Sequence, residues 1–446
     1  MRTLRIGSGA GYSGDRLTPA IDLMRHGRLD YIIFECLAER TIALAQRQRL
    51  KDPDQGYDPF FLRRMEAILD AMRDRRPRVI TNMGAANPTA AAKAAAEMAR
   101  ARGLHGLKIA AVTGDDILGR LDRYMDTPVI ETGRPLRELS ADIVSANAYI
   151  GCRGIVEALE SGADIVITGR VADPSLTLAA LVHEFGWRMD DYPMLGRGTL
   201  AGHLLECAGQ ITGGYFCDPS VKDVPDLWNL GFPIAEISED GTLVITKLDG
   251  TGGLVTEQTC KEQIIYELQD PAAYMTPDCT ADFHLTSVRQ LEKDRVRVSG
   301  ATGREGNHRY KASIGYRNCW IGEGQISYGG STAYARARLA GEVIEKRLAP
   351  LAGAIEELRI DYIGVDSLLH GDRPTSGVHD EVRLRVAART PDRHAAECIG
   401  EEVEALYTNG PAGGGGVTKS AREIVSIASI LIPKDEVTTH VEYWEV

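Results

Sequence analysis

Polar and ionisable side chains follow almost every strand-like segment in the first 190 residues of this 446-residue chain. Glu35 and Glu39 come one helical turn apart after the run DYIIF, and Asp115 and Asp116 follow the run KIAAVT. Paired carboxylates of this kind can divide the work of a general acid and a general base between them. The pattern predicts a proton-transfer site for a small polar substrate.

Two arginines in the same loops are candidates for binding an anionic substrate. Arg16 follows the first strand-like segment and Arg170 the last, and a guanidinium can hold a carboxylate or phosphate with two parallel hydrogen bonds. We expect Asn82, Asn147 and Tyr149 to polarise a substrate carbonyl through hydrogen bonds. The candidate catalytic residues are Asp15, Glu35, Asp115, Asp116 and Tyr149, and the candidate substrate-binding residues are Gly9, Gly11, Ser13, Arg16, Asn82, Gly84, Asn147, Thr168, Arg170, Lys247 and Gly252.

Each of these loop residues also has a purely structural interpretation. Ser, Asn, Asp and Gly are common in helix caps and turns whatever the protein does. This structural interpretation can account for any one of the loop residues, but caps and turns do not require arginines or paired carboxylates. The row as a whole therefore favours a ligand site, which in an open parallel sheet lies beyond the carboxyl ends of the strands.

The first loop, GAGYSG, has the G-x-G-x-x-G spacing of dinucleotide-binding loops, and Glu35 stands where an acid would contact the ribose. Two residues argue against that use. Asp15 would place a negative charge where the pyrophosphate lies, and Pro19 predicts a helix that begins near Leu17 or Thr18, too late for the fingerprint. We expect a loop whose backbone closes on a substrate, with Asp15 and Arg16 directed into the site.

Three further features leave alternatives open. His203 and Glu206 are three residues apart, a spacing compatible with a metal ligand pair, but no second motif supports a metal and a hydrogen-bonded pair is preferred. Lys247 and the segment DGTGGLVTEQT either form an anion-binding helix N-terminus around Gly252 or are structural. The glycines 413–416 are costly to order, so that loop is either mobile or lies against a ligand or subunit.

The segments that must position these residues alternate between strand-like and helix-like patterns. The strand-like runs are apolar and lack two-residue alternation, as parallel strands covered on both faces do. Repeated βα units predict a doubly wound, mostly parallel Rossmann-like sheet with right-handed crossovers. The candidate strands are Leu4–Ser8, Tyr31–Glu35, Arg78–Thr81, Lys108–Thr113 and Asp164–Thr168, with a weaker one at Asp142–Ser145.

The second half of the chain has a different pattern. Two-residue alternation in TLVITKLD, DRVRVSG and RYKASIGYR predicts antiparallel strands added to the first sheet. After residue 350, four strand-like runs (the last is THVEYWE) and one helix predict a small α+β domain of ferredoxin-like type. We therefore expect an α/β domain over residues 1–350 and a small α+β domain over 351–446.

Composition and charge narrow the class of protein. The net charge of −12 disfavours nucleic acid as a partner, because a phosphate-binding surface needs a basic face. The N-terminus lacks a basic-then-apolar signal region and no apolar run is long enough to span a membrane, so we expect a cytoplasmic protein. None of the eight cysteines forms a C-x-x-C pair, which predicts reduced thiols and no zinc site.

A set of long motifs along the chain resembles the acyclic terpene utilization A (AtuA) family. The motifs are GAGYSGDR, DYIIFECLAERTIALAQ, TNMGAANP, VTGDD, NAYIGCRGI, TGRVADPS, GHLLECAGQITGGYF, VPDLWNLGFPIAEI, GTGGLVT and IGEGQISYGG, and the end with GPAGGGG looks like the family's ferredoxin-fold domain. The resemblance implies a Rossmann-like main domain, a cytoplasmic location and a part in breaking down citronellol- and geraniol-type acids as CoA thioesters.

Three hypotheses of function follow. The first is a lyase or hydratase acting on a branched carboxylic acid or its acyl-CoA, with a branched 3-hydroxyglutaryl-CoA-like thioester implied by the resemblance. The second is a nicotinamide- or flavin-dependent oxidoreductase that uses the first loop, and the third is a non-catalytic subunit of an acyl-CoA-processing assembly. We expect the first, with no cofactor, a divalent metal left open, no nucleic-acid or membrane partner, and a homo-oligomeric state.

Overall fold

The computed structural model of the chain describes residues 2–139, 142–368 and 379–446. The strands are β1 (Thr3–Ala10), β2 (Tyr31–Phe34), β3 (Arg78–Thr81), β4 (Lys108–Thr113), β5 (Ile143–Ala148), β6 (Ile165–Thr168), β7 (Pro233–Ser238), β8 (Leu243–Lys247), β9 (Tyr274–Met275), β10 (Thr280–Asp282), β11 (Ser287–Glu292), β12 (Arg295–Ser299), β13 (Thr302–Arg304), β14 (Arg309–Gly329), β15 (Glu357–Ile363), β16 (Glu381–Thr390), β17 (Gly415–Pro433) and β18 (His440–Glu445). The α-helices are α1 (Thr18–His26), α2 (Glu39–Lys51), α3 (Phe61–Ala71), α4 (Pro88–Ala101), α5 (Arg153–Glu160), α6 (Ser175–Phe185), α7 (Tyr192–Leu205), α8 (Glu257–Ile265), α9 (Ala333–Leu348) and α10 (Arg393–Asn409).

A ten-stranded mixed sheet organises most of these elements and confirms the predicted α/β class. Its strand order is β11-β12-β8-β7-β1-β2-β3-β6-β4-β18. The neighbours β1, β2, β3, β6 and β4 are parallel, whereas the strands on either side of them are antiparallel. Helices cover both faces, with α1, α3 and α4 packed together and α5, α6 and α7 packed together. Full burial on both faces explains the continuous apolar runs of the parallel strands.

Local signals in the sequence account for the helix starts. Asn87 caps α4 by accepting a hydrogen bond from the Ala90 backbone, and Pro88 occupies the first helical position. Helix α1 begins at Thr18, as Pro19 predicts. Among the described helices, none combines the length and the apolar character that crossing a membrane requires.

Two strands pair differently from the prediction. The weak strand β5 pairs with β14 and not within the parallel sheet, because β4 and β6 are direct neighbours and leave no place between them. The last strand, β18, pairs with β4 at the edge of the ten-stranded sheet, with Trp444 opposite Ile109, and not with the strands of a small C-terminal domain. Trp444 also packs against the apolar core beneath the sheet.

The described chain forms two compact units. Unit 1 comprises Met1–Ser140, Val144–Gly315 and Ile427–Val446, and unit 2 comprises Ala141–Ile143 and Tyr316–Ser426. Unit 2 contains β15, β16 and the larger parts of β14 and β17, and these strands form one sheet in the order β15-β16-β14-β17. Helices α9 and α10 pack against β16 and against each other. This is an α+β arrangement. The domain boundary expected at residue 350 is a different division of the chain and stays a prediction.

Candidate functional site

A cavity of about 1300 Å³ lies in unit 1 beyond the carboxyl ends of β1, β2 and β6. Residues 11–16, 35–39 and most of 170–174 line it, each set following one of those strands. Residues after α7, residues 274–277 and the start of β14 complete the wall. The position is the one that an open parallel sheet favours for ligands. The cavity is larger than the roughly 300–1,000 Å³ of pockets that bind drug-sized molecules.

Arg170 is the largest fully buried side chain of the site. Its guanidinium donates to the backbone oxygens of Leu37 and Val171 and to the Asp173 carboxylate. The guanidinium carbon also lies 4.3 Å from the centre of the Tyr149 ring, a cation–π contact. Four of the five N–H donors are engaged in this way, so Arg170 supplies a fixed positive charge and a single remaining donor.

Tyr149 connects this buried arginine to the cavity wall. Its hydroxyl donates to Glu39, and Lys311 on β14 donates to the same carboxylate oxygen at 3.2 Å. Burial acts to raise the pKa of Glu39, but the hydrogen bond from Tyr149 and the charge of Lys311 outweigh it and lower that pKa to about 2. Glu39 is therefore a permanent anion that orients Tyr149 and Lys311.

Glu35 is the buried carboxyl at the end of β2. Its Oε1 accepts two hydrogen bonds of 2.9 Å each, from the Leu37 backbone and from the Asn82 side chain. Burial raises the pKa of Glu35 well above its usual range, and the charge of Asp173 adds to this, while Arg170 opposes it. A neutral Glu35 must carry its proton on Oε2, because both bonds to Oε1 come from donors.

The β1–α1 loop is closed by its own aspartate. The Asp15 carboxylate accepts from the backbone of Gly11 at 2.7 Å and of Tyr12 at 3.3 Å. These are amide groups of the kind that would hold a pyrophosphate in a dinucleotide-binding loop, and here they already have an anionic partner. Arg16 donates to the Trp228 carbonyl at 2.8 Å, and Ser13 hydrogen-bonds to Asp58.

His203 and Glu206 form a buried pair, and Glu206 lines the cavity. His203 Nδ1 lies 2.8 Å from Glu206 Oε1, and its Nε2 lies 3.1 Å from the Ile264 carbonyl. Burial raises the pKa of Glu206 to about 7 even though His203 opposes it. For His203, burial acts downward, but the Glu206 carboxylate outweighs it and raises the pKa. The predicted hydrogen-bonded pair is confirmed.

The structure brings seven of the sequence candidates to the cavity and leaves nine outside it. Gly11, Ser13, Asp15, Arg16, Glu35, Tyr149 and Arg170 line the cavity. The candidates that do not line it are Gly9, Asn82, Gly84, Asp115, Asp116, Asn147, Thr168, Lys247 and Gly252.

Several of the outside candidates support the residues that line the cavity. Asp115 is buried and accepts from the Arg170 backbone at 3.0 Å and from Asn147 at 2.9 Å. Asn82 orients Glu35 and accepts from the Cys36 backbone. These residues hold the ends of β3, β4, β5 and β6 in place behind the site.

The remaining outside candidates have local partners. Asp116 forms an ion pair with Arg49, and Lys247 donates to the Thr251 carbonyl and faces Asp294. The other four, which are closely packed, are Gly9, Gly84, Thr168 and Gly252. A Cβ on Gly9 would meet the ring of Phe34, one on Gly84 would meet the backbone oxygen of Thr168, and one on Gly252 would meet the Asp226 backbone.

The candidate site residues omit several charged groups of the lining, among them Lys311, Asp173 and Glu206. Lys311 lies on a strand more than 100 residues after the parallel strands, and no local motif marks it. Asp173 stands in the quoted motif TGRVADPS, three residues after Arg170, and the i,i+3 spacing was an available signal. Glu206 was noted for its spacing to His203 but not as part of the site.

Within 2–139, 142–368 and 379–446, no group of three or more His, Cys, Asp or Glu side chains has a geometry that could hold a metal ion. The His203–Glu206 pair has no third ligand of these types in that part of the chain.

Comparison with known proteins gives one family. The family model described as "Acyclic terpene utilisation family protein AtuA" matches residues 4–443, nearly the whole chain. Among curated proteins, no match was found.

Proposed function

The chain belongs to the acyclic terpene utilisation AtuA family, and we propose from this premise that it is a catabolic enzyme acting on a branched carboxylic acid or its acyl-CoA thioester. The reaction is an acid/base lyase or hydro-lyase step. The family description supports a part in acyclic terpene utilisation, and the cavity of unit 1 supplies groups suited to such a step.

The observation that carries the proposal is Glu35. It is a buried carboxyl in the cavity wall whose pKa is raised by burial, so that it holds a proton at a pH where exposed carboxyls have lost theirs. Its oxygen Oε1 is fixed by two donors and the proton is on Oε2. A proton held in one defined direction is what a general acid requires.

The charges around Glu35 fit the rest of the reaction. Cleaving or hydrating beside a carboxyl or thioester builds negative charge on the carbonyl oxygen, which preorganised donors stabilise. Lys311, held by Glu39, and the remaining donor of Arg170 are available for that oxygen. Because neither step needs an external oxidant or reductant, proton transfers and charge stabilisation are sufficient.

The size of the cavity and the basic side chains in its wall support a large anionic substrate. The cavity volume of about 1300 Å³ exceeds the usual range for a drug-sized ligand. A CoA thioester is larger than a drug-sized ligand and needs a larger cavity. Arg16, Arg309 and Lys311 line the wall and offer positive charge to phosphate or carboxylate groups.

The test is a turnover screen of the purified chain with branched 3-hydroxy acids, both free and as CoA thioesters, with and without divalent metal. Product formation is followed by mass spectrometry. For any substrate turned over, Glu35→Gln keeps the shape of the side chain but removes the acidic proton. We expect a 10²- to 10⁴-fold loss of kcat, the usual worth of a general acid.

The control is Glu97→Gln, an exposed carboxylate of α4 that does not line the cavity. It should leave kcat within twofold of the wild type. Turnover by Glu35→Gln at the wild-type rate, or no turnover of any acid or thioester by the wild type, would contradict the proposal.

A further inference from the structure

The buried pair His203–Glu206 has a proton arrangement that its contacts define. His203 Nε2 lies 3.1 Å from the Ile264 carbonyl, which only accepts hydrogen bonds, so Nε2 carries a hydrogen. Nδ1, 2.8 Å from Glu206 Oε1, is then the nitrogen that gains or loses a proton. One proton lies between Nδ1 and Oε1, whether the pair is written as neutral acid and imidazole or as carboxylate and imidazolium.

The second oxygen of Glu206 has no hydrogen-bond partner among the residues that the structure describes. Oε2 is buried, and Glu206 is one of the residues that line the cavity. An unsatisfied buried carboxyl oxygen is costly in a native protein and requires an explanation. A donor group of a bound substrate would provide the missing hydrogen bond.

Among the titratable groups in this part of the cavity wall, Glu206 is the one suited to exchange a proton near pH 7. Burial raises the pKa of the Cys207 thiol and of the Tyr274 hydroxyl, so both are neutral near pH 7. Asp173 and Glu267 are the other charges that act on Glu206, and both favour its protonated form. The Tyr274 ring lies 5.3 Å from the His203 ring and shields it on that side.

We propose that Glu206 Oε2 exchanges a proton with the β-oxygen of the substrate and that His203 acts as the reserve for that proton. The inference rests on the proposed function and assigns the base that complements Glu35. Glu206 is the catalytic residue, and His203 is a positioning residue that acts through it. The substrate concerned is the β-hydroxy acid or thioester that the resemblance to the AtuA family implies.

The step balances for carbon–carbon cleavage of such a substrate. The β-hydroxyl O–H bond breaks and its proton binds Glu206 Oε2, while the proton on Oε1 moves to His203 Nδ1. The β-oxygen becomes a carbonyl, and the electron pair of the α–β bond passes to the α-carbon. Glu35 gives the α-carbon its proton from Oε2 and becomes a carboxylate. The imidazolium later returns its proton through Glu206 and solvent to restore Glu35.

The experiment measures kcat and KM across pH for the wild type, Glu206→Gln, His203→Asn and a matched control, with the thioester or acid that the wild type turns over. The control is Glu262→Gln on α8, an exposed carboxylate paired with Lys222 outside the cavity. We expect Glu206→Gln to lose at least 10²-fold in kcat with KM within about threefold. His203→Asn should lose less, and the acid limb of its pH profile should move to higher pH, because burial still raises the pKa of Glu206 and the opposing charge of His203 is gone.

A second measurement tests the interaction between His203 and Glu206 without any substrate turnover. In protein labelled with ¹³C and ¹⁵N at histidine, the His203 resonance should titrate at lower pH in Glu206→Gln than in the wild type, because the charge that favours the imidazolium is gone. Thermal unfolding shows whether each variant is folded. If Glu206→Gln does not fold, the pH profile of His203→Asn decides the question.

The outcomes separate this inference from the proposed function. If Glu35→Gln loses kcat while the kcat of Glu206→Gln stays within twofold of the wild type, the proposed role of the His203–Glu206 pair is overturned. The proposed function then still stands. An unchanged His203 titration in Glu206→Gln would also overturn it. No turnover by the wild type would overturn both.

Discussion

Gly11 shows at the level of one residue why the first loop needs glycine. A Cβ at this position would overlap the backbone of Cys207, which cannot move without shifting the chain beyond α7. Its amide also donates to Asp15 at 2.7 Å. The glycine therefore lets two segments of the cavity wall approach each other, and phosphate binding is not needed to explain it.

We predict that Gly11→Ala destabilises the protein by about 1–3 kcal/mol, the usual cost of overpacking, and weakens binding of the ligand in the cavity. Denaturant unfolding and a ligand titration measure the two effects. Gly14→Ala is the matched control for stability, because the nearest atoms that its Cβ would meet belong to the ring of Tyr12, which is 62% exposed and can turn away. Equal losses of stability in the two variants would contradict this account.

The sequence predicted the residues of single loops better than their partners. Glu35 and Asp15 follow strands in the chain, and they line the cavity because parallel strands end at one edge. Arg170 also lines the cavity, yet its hydrogen bonds to backbone carbonyls depend on a loop fold that residue types do not specify. Lys311 lies in the cavity wall on the long strand β14. It is far from the other site residues along the chain, so no local pattern in the sequence indicates its contact with Glu39.

At the level of elements, the parallel strands were predictable and the pairing of the others was not. Continuous apolar runs mark strands buried on both faces, and β1, β2, β3, β4 and β6 have that pattern. The pattern gives no partner for β5 or β18. Pairing depends on which edges are free, and β4 leaves one edge open, which β18 covers.

Asp115 joins three elements, since it follows β4 and holds the Arg170 backbone after β6 and the Asn147 side chain of β5. Burial raises the pKa of Asp115 from 3.8 to about 6. The folded protein thus favours the neutral acid, and this contribution to stability is complete below pH 4 and is lost as pH rises through 6. The difference of about two in pKa corresponds to about 3 kcal/mol.

We predict that Asp115→Asn removes this pH dependence. The difference in unfolding free energy between the variant and the wild type should shift by about 3 kcal/mol in favour of the variant between pH 4 and pH 7. Chemical denaturation at a series of pH values measures it, with the exposed Asp249→Asn as control. A difference that is constant across this range would show that Asp115 ionises as freely in the folded protein as in the unfolded chain.

At the level of the whole molecule, the site and unit 2 belong to different parts of the chain. Every residue lining the cavity is in unit 1, whereas the core of unit 2 is built from α9, α10 and the sheet residues they cover, such as Leu384 and Val386. A ligand that binds only the folded form of unit 1 stabilises that unit by mass action, by about 2.7 kcal/mol at 100 times its dissociation constant.

Hydrogen exchange should show this division directly. We expect Glu35→Gln, which should bind the substrate and turn it over slowly, to exchange more slowly with ligand present in β1, β2 and β6, whose ends form the cavity wall. Exchange in β16 of unit 2 should change far less, because no residue of that strand lines the cavity. Mass spectrometry of peptides from both units measures it, and Gly11→Ala, with its weakened binding, should show smaller protection at the same ligand concentration. Equal slowing in both units would mean that ligand binding and the opening of unit 2 are coupled, and the site would then have to be studied as a property of the entire chain.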